Sequence, residues 1–203
     1  MPISRVPPPA PLRDYAAMLA HTLSQCHPGQ DMWVFGYASL IWRPEFNFCE
    51  QRAARLHGWH RALKMWSTVN RGTPALRGLV FALLSGGSCC GRVYRVPSHD
   101  IPRVLTRLWQ REMPNAVYDP KWLQCQTHEG PVQALSFTLS RQSPSYTGQL
   151  SDRQYQKIFS QAVGRYGSTL DYALQTYACL REHGIDDHAL KMLLRHAVVQ
   201  TFD

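Results

Sequence analysis

With 203 residues, 44% hydrophobic and 18% charged, the chain is long enough for one domain with a sizeable core and too apolar to be disordered. Its net charge of +8 comes almost entirely from arginines, scattered without a basic run or a recognisable nucleic-acid module, which points to a solvated surface rather than to DNA or RNA. No apolar stretch reaches the roughly 18 residues of a membrane helix, and residues 1–11 combine Arg5 with three consecutive prolines instead of a signal core, so the expected compartment is the cytoplasm.

After that proline-rich lead, residues 14–24 carry a helical stripe of Tyr15, Met18, Leu19 and Leu23, which His27-Pro28-Gly29 stops. The pattern then turns to strands. Residues 32–37 are apolar and aromatic, and residues 56–66 alternate Trp59, Arg61, Leu63 and Met65 against His60, Ala62 and Lys64. Residues 79–84 and 90–96 flank Ser85-Gly86-Gly87-Ser88, which predicts a hairpin with its loop there. A second hairpin is expected from 121–127 and 132–139 around His128-Glu129-Gly130-Pro131, with a helix over 98–113 between the two.

Three more helices follow Leu150. Tyr155, Ile158, Phe159 and Ala162 mark the first, and Leu170, Ala173, Leu174 and Tyr177 the second. Leu190, Leu193, Leu194, Ala197 and Val198 mark the third. Gly167 and Gly184 stand where C-cap glycines belong, and Ser168 and Asp186 or Asp187 can start the next helices. Six strands without regular strand–helix alternation predict an α+β fold, a small, strongly curved sheet or barrel with helices packed outside it.

The six cysteines form no Cys-x-x-Cys pair and the nine histidines no His-x-x-x-His, so the cysteines read as reduced and mostly buried and no metal site is indicated. One acid stands out instead. In the 98–113 helix, Ile101, Val104, Leu105 and Leu108 recur at three- and four-residue steps, and Glu112 falls one turn beyond Leu108 on the same stripe. Arg103, Arg107, Gln110 and Arg111 belong to the opposite, solvated face. A carboxylate on an apolar stripe is costly unless it is paired, hydrogen-bonded or protonated. An ion pair with Arg111 or Arg71 is the structural alternative to a chemical role.

The second unusual segment is Trp33-Val34-Phe35-Gly36-Tyr37-Ala38-Ser39-Leu40-Ile41-Trp42, where a buried strand runs into small residues able to present successive backbone N–H groups to a carboxylate or oxyanion. Its run from Val34 to Trp42 resembles the V-F-G-Y-G-S-L-[IM]-W signature of the ChaC-like γ-glutamylcyclotransferases. Further segments resemble that family's marks in the same order: Gly58-Trp59-His60-Arg61, Arg71-Gly72-Thr73-Pro74, Trp109-Gln110-Arg111-Glu112-Met113, and Tyr118-x-Pro120-x-Trp122. The resemblance spans roughly residues 31–200 and leaves an N-terminal extension, residues 1–30 with a short helix, outside a γ-glutamylcyclotransferase-like domain of residues 31–203.

The resemblance implies a small mixed β-barrel with peripheral helices. It also implies a small-molecule substrate, glutathione or another γ-glutamyl peptide, cleaved to 5-oxoproline and the remaining amine, cysteinylglycine for glutathione. Glu112 matches the family's catalytic glutamate, and Tyr37, Ala38, Ser39 and Leu40 its loop for the γ-glutamyl group. Arg71 is a candidate partner for a substrate carboxylate, and Tyr118 and Trp122 are either pocket or core aromatics.

Because the substrate's own α-amine attacks its γ-carbonyl, one carboxyl group acting as base and then acid suffices, with no nucleophilic residue, metal or other cofactor. A non-catalytic binder of γ-glutamyl ligands or of a protein partner is the alternative with the same fold. The sequence sets no oligomeric state, a monomer being the plain default. It also departs from the family at one position. Ala38 replaces the glycine of Y-G-S-L, which is tolerable if its φ is negative.

Overall fold

A computed structural model describes residues 13–113 and 116–197. The proline-rich lead, residues 1–11, and Val198 of the last helical stripe lie outside these residues. Helix α1, Tyr15–Ser24, begins where the Asp14 carboxylate accepts from the Ala17 N–H, and its apolar side packs near helix α3, Ile101–Glu112. Five strands close into a barrel. They are β1 (Met32–Gly36), β2 (Glu50–Ser67), β3 (Gly78–Val96), β4 (Asp119–Thr127) and β5 (Gly130–Thr138), in the spatial order β1-β3-β2-β4-β5. All neighbours are antiparallel except the closing pair, where β1 and β5 run parallel at Trp33↔Ala134 and Val34↔Leu135.

The expected hairpin loop at Ser85-Gly86-Gly87-Ser88 is not a loop. β3 runs straight through it, and the register passes from His57↔Ser88 to Trp59↔Ser85, placing Gly58 opposite Gly86 and Gly87. These three glycines have φ of +79°, +95° and +73°, so the backbone forms a bulge that bends the two-stranded ribbon without reversing it. Two short strands therefore become one of 19 residues, and the barrel has five strands where six were expected. The real reversal is the 68–77 segment, which carries Arg71-Gly72-Thr73-Pro74. There the backbones touch: a Cβ on Gly72 would lie 2.0 Å from the Gly78 nitrogen, so no larger residue fits.

Side chains alternate along the strands between two cores. One joins Phe35, Phe81, Leu83 and Ala134 to helices α4 (Asp152–Gln161), α5 (Thr169–Glu182) and α6 (His188–Leu194). The other joins Val34, Ala82, Leu84, Leu135 and Phe137 to α3, whose Ile101, Val104, Leu105 and Leu108 are all buried as their spacing predicted. Ser168, Asp187 and Gly184 take the expected cap positions. Gly167, however, sits in the two-residue strand β7 (Gly167–Ser168), paired with β6 (Val163–Gly164), because α4 already ends at Gln161. All six cysteines are free thiols. No helix among the described residues is long and apolar enough to cross a membrane.

Candidate active site

The last residue of α3 is Glu112. Its helix ends because Met113 leaves helical geometry while its N–H still bonds the Trp109 carbonyl, and the Met113 side chain is fully buried. The Glu112 side chain is only 17% exposed. Burial raises its carboxyl above the usual range; the charge and hydrogen bond of Arg111 act the other way, and the negative charge of Glu45 adds to the rise. The negative end of the α3 dipole adds further negative potential there. Oε1 meets Arg111 Nε at 2.9 Å, while Oε2 has no partner among the described residues.

Arg111 corrects the sequence reading, which put it on the solvated face. The α3 C-terminus abuts the segment after β1, so the long Arg111 stem folds across and is 19% exposed. Its Nη1 donates to Glu45 Oε2 at 2.9 Å and to the Arg43 carbonyl, and its Nη2 to Ser39 Oγ at 3.1 Å. Glu45 itself sits at a φ of +59°, costing a non-glycine residue about 1–2 kcal/mol. Burial alone would raise its carboxyl, but the hydrogen bond from Arg43 and the charge of Arg111 hold it below the usual range. One guanidinium thus serves two carboxylates, one held ionised and the other pushed toward the neutral form.

β1 delivers Tyr37 directly into the loop that starts helix α2, Ser39–Trp42. Ala38 caps this single turn with φ −141°, on the negative side its Cβ requires. Leu40 and Ile41 are buried. Within the loop, the Ile41 N–H bonds the Ala38 carbonyl and the Arg43 N–H the Ser39 carbonyl. The N–H groups of Ala38, Ser39 and Leu40 have no hydrogen-bond partner among the described residues. Three consecutive free donors make a small anion-binding nest.

Tyr37 and Tyr118 are buried, and each hydroxyl donates to a main-chain carbonyl, Tyr37 to Phe137 at 3.1 Å and Tyr118 to Phe81 at 3.1 Å. Burial, reinforced by the charge of Glu112, pushes both phenols far up, so they stay neutral. Tyr172, on α5, was not foreseen. Burial and then Glu112 push its phenol up to about 12, and it neighbours the Ser39 hydroxyl. No sequence signal marks it, because it lies in an ordinary helical stripe far from every quoted segment.

Arg71 lies with its guanidinium 4.7 Å from the centre of the Tyr172 ring, and it donates to the Tyr166 carbonyl. No carboxylate of the described residues pairs with it. Trp122 turns elsewhere: its indole bonds Gln25 Oε1 at 2.8 Å and lines a separate cavity of about 380 Å³ with Cys26 and Trp33. Among the described residues no group of three or more His, Cys, Asp or Glu is placed to hold a metal ion.

The structure therefore gathers Glu112, Tyr37, Ser39, Tyr118 and Tyr172 around one buried carboxyl, with Arg71 stacked on Tyr172 at the edge. A family model described as ChaC-like protein matches residues 32–200. The glutathione-specific gamma-glutamylcyclotransferase of Escherichia coli K12 is 35% identical over 181 residues, 88% of this chain and 78% of the relative. Glutathione-specific gamma-glutamylcyclotransferase 1 of Homo sapiens is 30% identical over 151 residues, 72% of this chain and 68% of the relative. A crystal structure of a yeast γ-glutamyl cyclotransferase specific to glutathione superposes with a TM-score of 0.76 at 21% identity, covering 83% of this chain and 96% of that one, and so shares the fold. Barrel, glutamate and loop converge with these matches: the chain belongs to the ChaC-like family.

Proposed function

We propose that the protein is a γ-glutamylcyclotransferase acting on glutathione, with Glu112 as its general base and acid. The observation that carries the chemistry is a buried carboxyl of raised pKa beside a loop with three free N–H donors. Tyr37 and Tyr118 each hydrogen-bond a main-chain carbonyl, which can only accept, and their two hydroxyls also bond each other. What they offer a ligand is lone pairs, and lone pairs beside a carboxylate suit the substrate's α-ammonium.

The reaction then follows in order. Glu112 Oε2, which has no partner among the described residues, removes a proton from the α-ammonium. The freed amine attacks the γ-carbonyl carbon, a new C–N bond closes the five-membered ring, and the oxygen becomes an oxyanion. Backbone N–H groups of Ala38, Ser39 and Leu40 stabilise that oxygen. The tetrahedral centre collapses, the bond to the cysteine nitrogen breaks, and the protonated Glu112 gives its proton to the departing amine; the freed carboxylate then takes the second proton from the ring nitrogen and passes it to the same amine, which leaves as an ammonium. The products are 5-oxoproline and cysteinylglycine.

A raised carboxyl pKa serves both halves of this cycle, since the group must be a base first and an acid afterwards. Tyr37, Tyr118 and Tyr172 hold the apolar walls that raise it, and Arg71, stacked on Tyr172, is the proposed partner of a substrate carboxylate. The names of the relatives supply glutathione as the substrate.

The test incubates purified protein with glutathione, γ-Glu-Cys and γ-Glu-Ala and measures 5-oxoproline. Release from glutathione in preference to the other two is expected. Ligand binding without turnover of any of them would favour a non-catalytic binder and sink the proposal.

A further inference from the structure

Arg61 closes the Gly58-Trp59-His60-Arg61 segment, and nothing in the chemistry above uses it. Its side chain is only 4% exposed, and a guanidinium is not buried without strong partners. Arg61 has four. Its Nε and Nη2 donate to Asp187 Oδ2 at 2.9 and 2.5 Å, and its Nη1 to the carbonyls of Tyr37 at 2.7 Å and Cys90 at 3.1 Å, with the Cys89 sulfur 3.7 Å away. Asp187 in turn caps α6, its Oδ1 accepting from the Leu190 N–H at 2.9 Å.

The Tyr37 carbonyl is the one that precedes the three free N–H groups. The described residues contain no cis peptide bond. In a planar trans peptide the carbonyl and the following N–H point in opposite directions. A guanidinium that draws the Tyr37 oxygen toward itself therefore aims the Ala38 N–H away from itself, toward the unpartnered side of the loop. The rigid fork of arginine suits this, because one side of it grips Asp187 while the other grips two carbonyls.

We propose that Arg61, held by Asp187, is a positioning residue for ring closure: it fixes the plane of the 37–38 peptide so that the Ala38 N–H joins those of Ser39 and Leu40 at the oxyanion. Through Asp187 the same contact ties the start of α6 to the substrate loop, so the C-terminal helix and the loop are set as one unit. This rests on the cyclotransferase reading, and it gives Gly58-Trp59-His60-Arg61 a role within it.

The experiment compares wild type with Arg61→Lys and Asp187→Asn in the full chain, measuring kcat and KM for glutathione against pH, together with Tm. Lysine keeps a positive charge near Asp187 but lacks the planar fork that reaches Asp187 and both carbonyls at once. Asparagine keeps the size of Asp187 and its helix cap but removes its charge. Losing a whole oxyanion donor costs about 10²–10³ in kcat, so misaiming one in Arg61→Lys is expected to cost about 10–100-fold, with KM within about twofold. The acid limb of the pH profile stays in place, because Glu112 is untouched.

A brace with no part in the reaction would lower Tm and leave kcat per folded molecule unchanged below the transition, and that result overturns the proposal. If Arg61→Lys does not fold, Asp187→Asn decides: a lowered kcat at unchanged KM supports the inference, and wild-type kcat overturns it. An inactive wild type would overturn the cyclotransferase reading itself, and this inference with it. An active wild type with fully active variants overturns this inference alone.

Discussion

Two buried acid–arginine pairs stand on either side of the Tyr37–Trp42 segment, and they are built for opposite ends. In the Asp187–Arg61 pair both carboxylate oxygens are used, one by the α6 cap and one by the guanidinium, and the arginine holds two carbonyls besides. In the Glu112–Arg111 pair one glutamate oxygen has no partner among the described residues, and the arginine is shared with Glu45. Burial is similar, with side-chain exposures of 13% and 4% in the first pair and 17% and 19% in the second. What differs is satisfaction. A fully hydrogen-bonded pair holds structure, whereas a half-satisfied buried acid keeps lone pairs and a proton affinity available for chemistry.

The sharpest way to break this comparison is Glu112→Gln. Removing the base is expected to lower kcat by about 10²–10⁴-fold while the fold persists. Stability should move the other way. Because the folded-state pKa of Glu112 is raised, the fold favours the protonated acid. Its contribution is complete below the ordinary carboxylate pKa of about 4.3 and is lost as pH rises through the raised value. Glutamine has no such loss. Tm of Glu112→Gln should therefore match wild type in acid and equal or exceed it at neutral pH; a lower Tm at neutral pH would mean that Glu112 is a structural partner of Arg111.

Asp187→Ala is the counterpart. It strands a buried guanidinium and uncaps α6, so urea denaturation should show a loss of about 3–5 kcal/mol. A loss under about 1 kcal/mol would place this pair with ordinary surface ion pairs.

Arg111→Met gives a smaller effect on the pH profile. Without the arginine's charge and hydrogen bond, burial acts on Glu112 unopposed, so the acid limb of kcat/KM should move to higher pH. An unmoved limb would show that Arg111 serves only Glu45 and Ser39. Ala38→Gly should change least. A φ of −141° is open to alanine, so kcat/KM should stay within about threefold and stability should fall by roughly 0.5–1 kcal/mol from added freedom in the unfolded chain. A large gain in activity would mean that the alanine holds the loop off its working shape.

Much of this was legible because it is local. The stripe from Ile101 to Leu108 placed Glu112 on a buried face, and ordered segments tied that acid to the Tyr37–Leu40 loop. The misreading at Ser85–Ser88 has a local cause too: two glycines between apolar runs look alike whether they reverse a chain or only bulge it. The choice is made by the partner strand, where Gly58 completes the bend. Arg61 showed only as one side of an alternating strand and as the end of Gly58-Trp59-His60-Arg61, and Arg111 as a solvated residue. Their partners, Asp187 at 126 residues' distance and Glu45 at 66, are set by the closing of the barrel.

By itself the sequence determined that an acid would be buried at a helix end and that a loop of small residues would follow a buried strand, since hydrophobic period and residue size are read within a few turns. Only the tertiary structure decided which charges that acid would face, that Tyr172 would join it from a distant helix, and that a buried arginine would set the loop's first peptide. Coulomb forces, desolvation and hydrogen-bond satisfaction depend on distances through space, and those exist only once the barrel has closed.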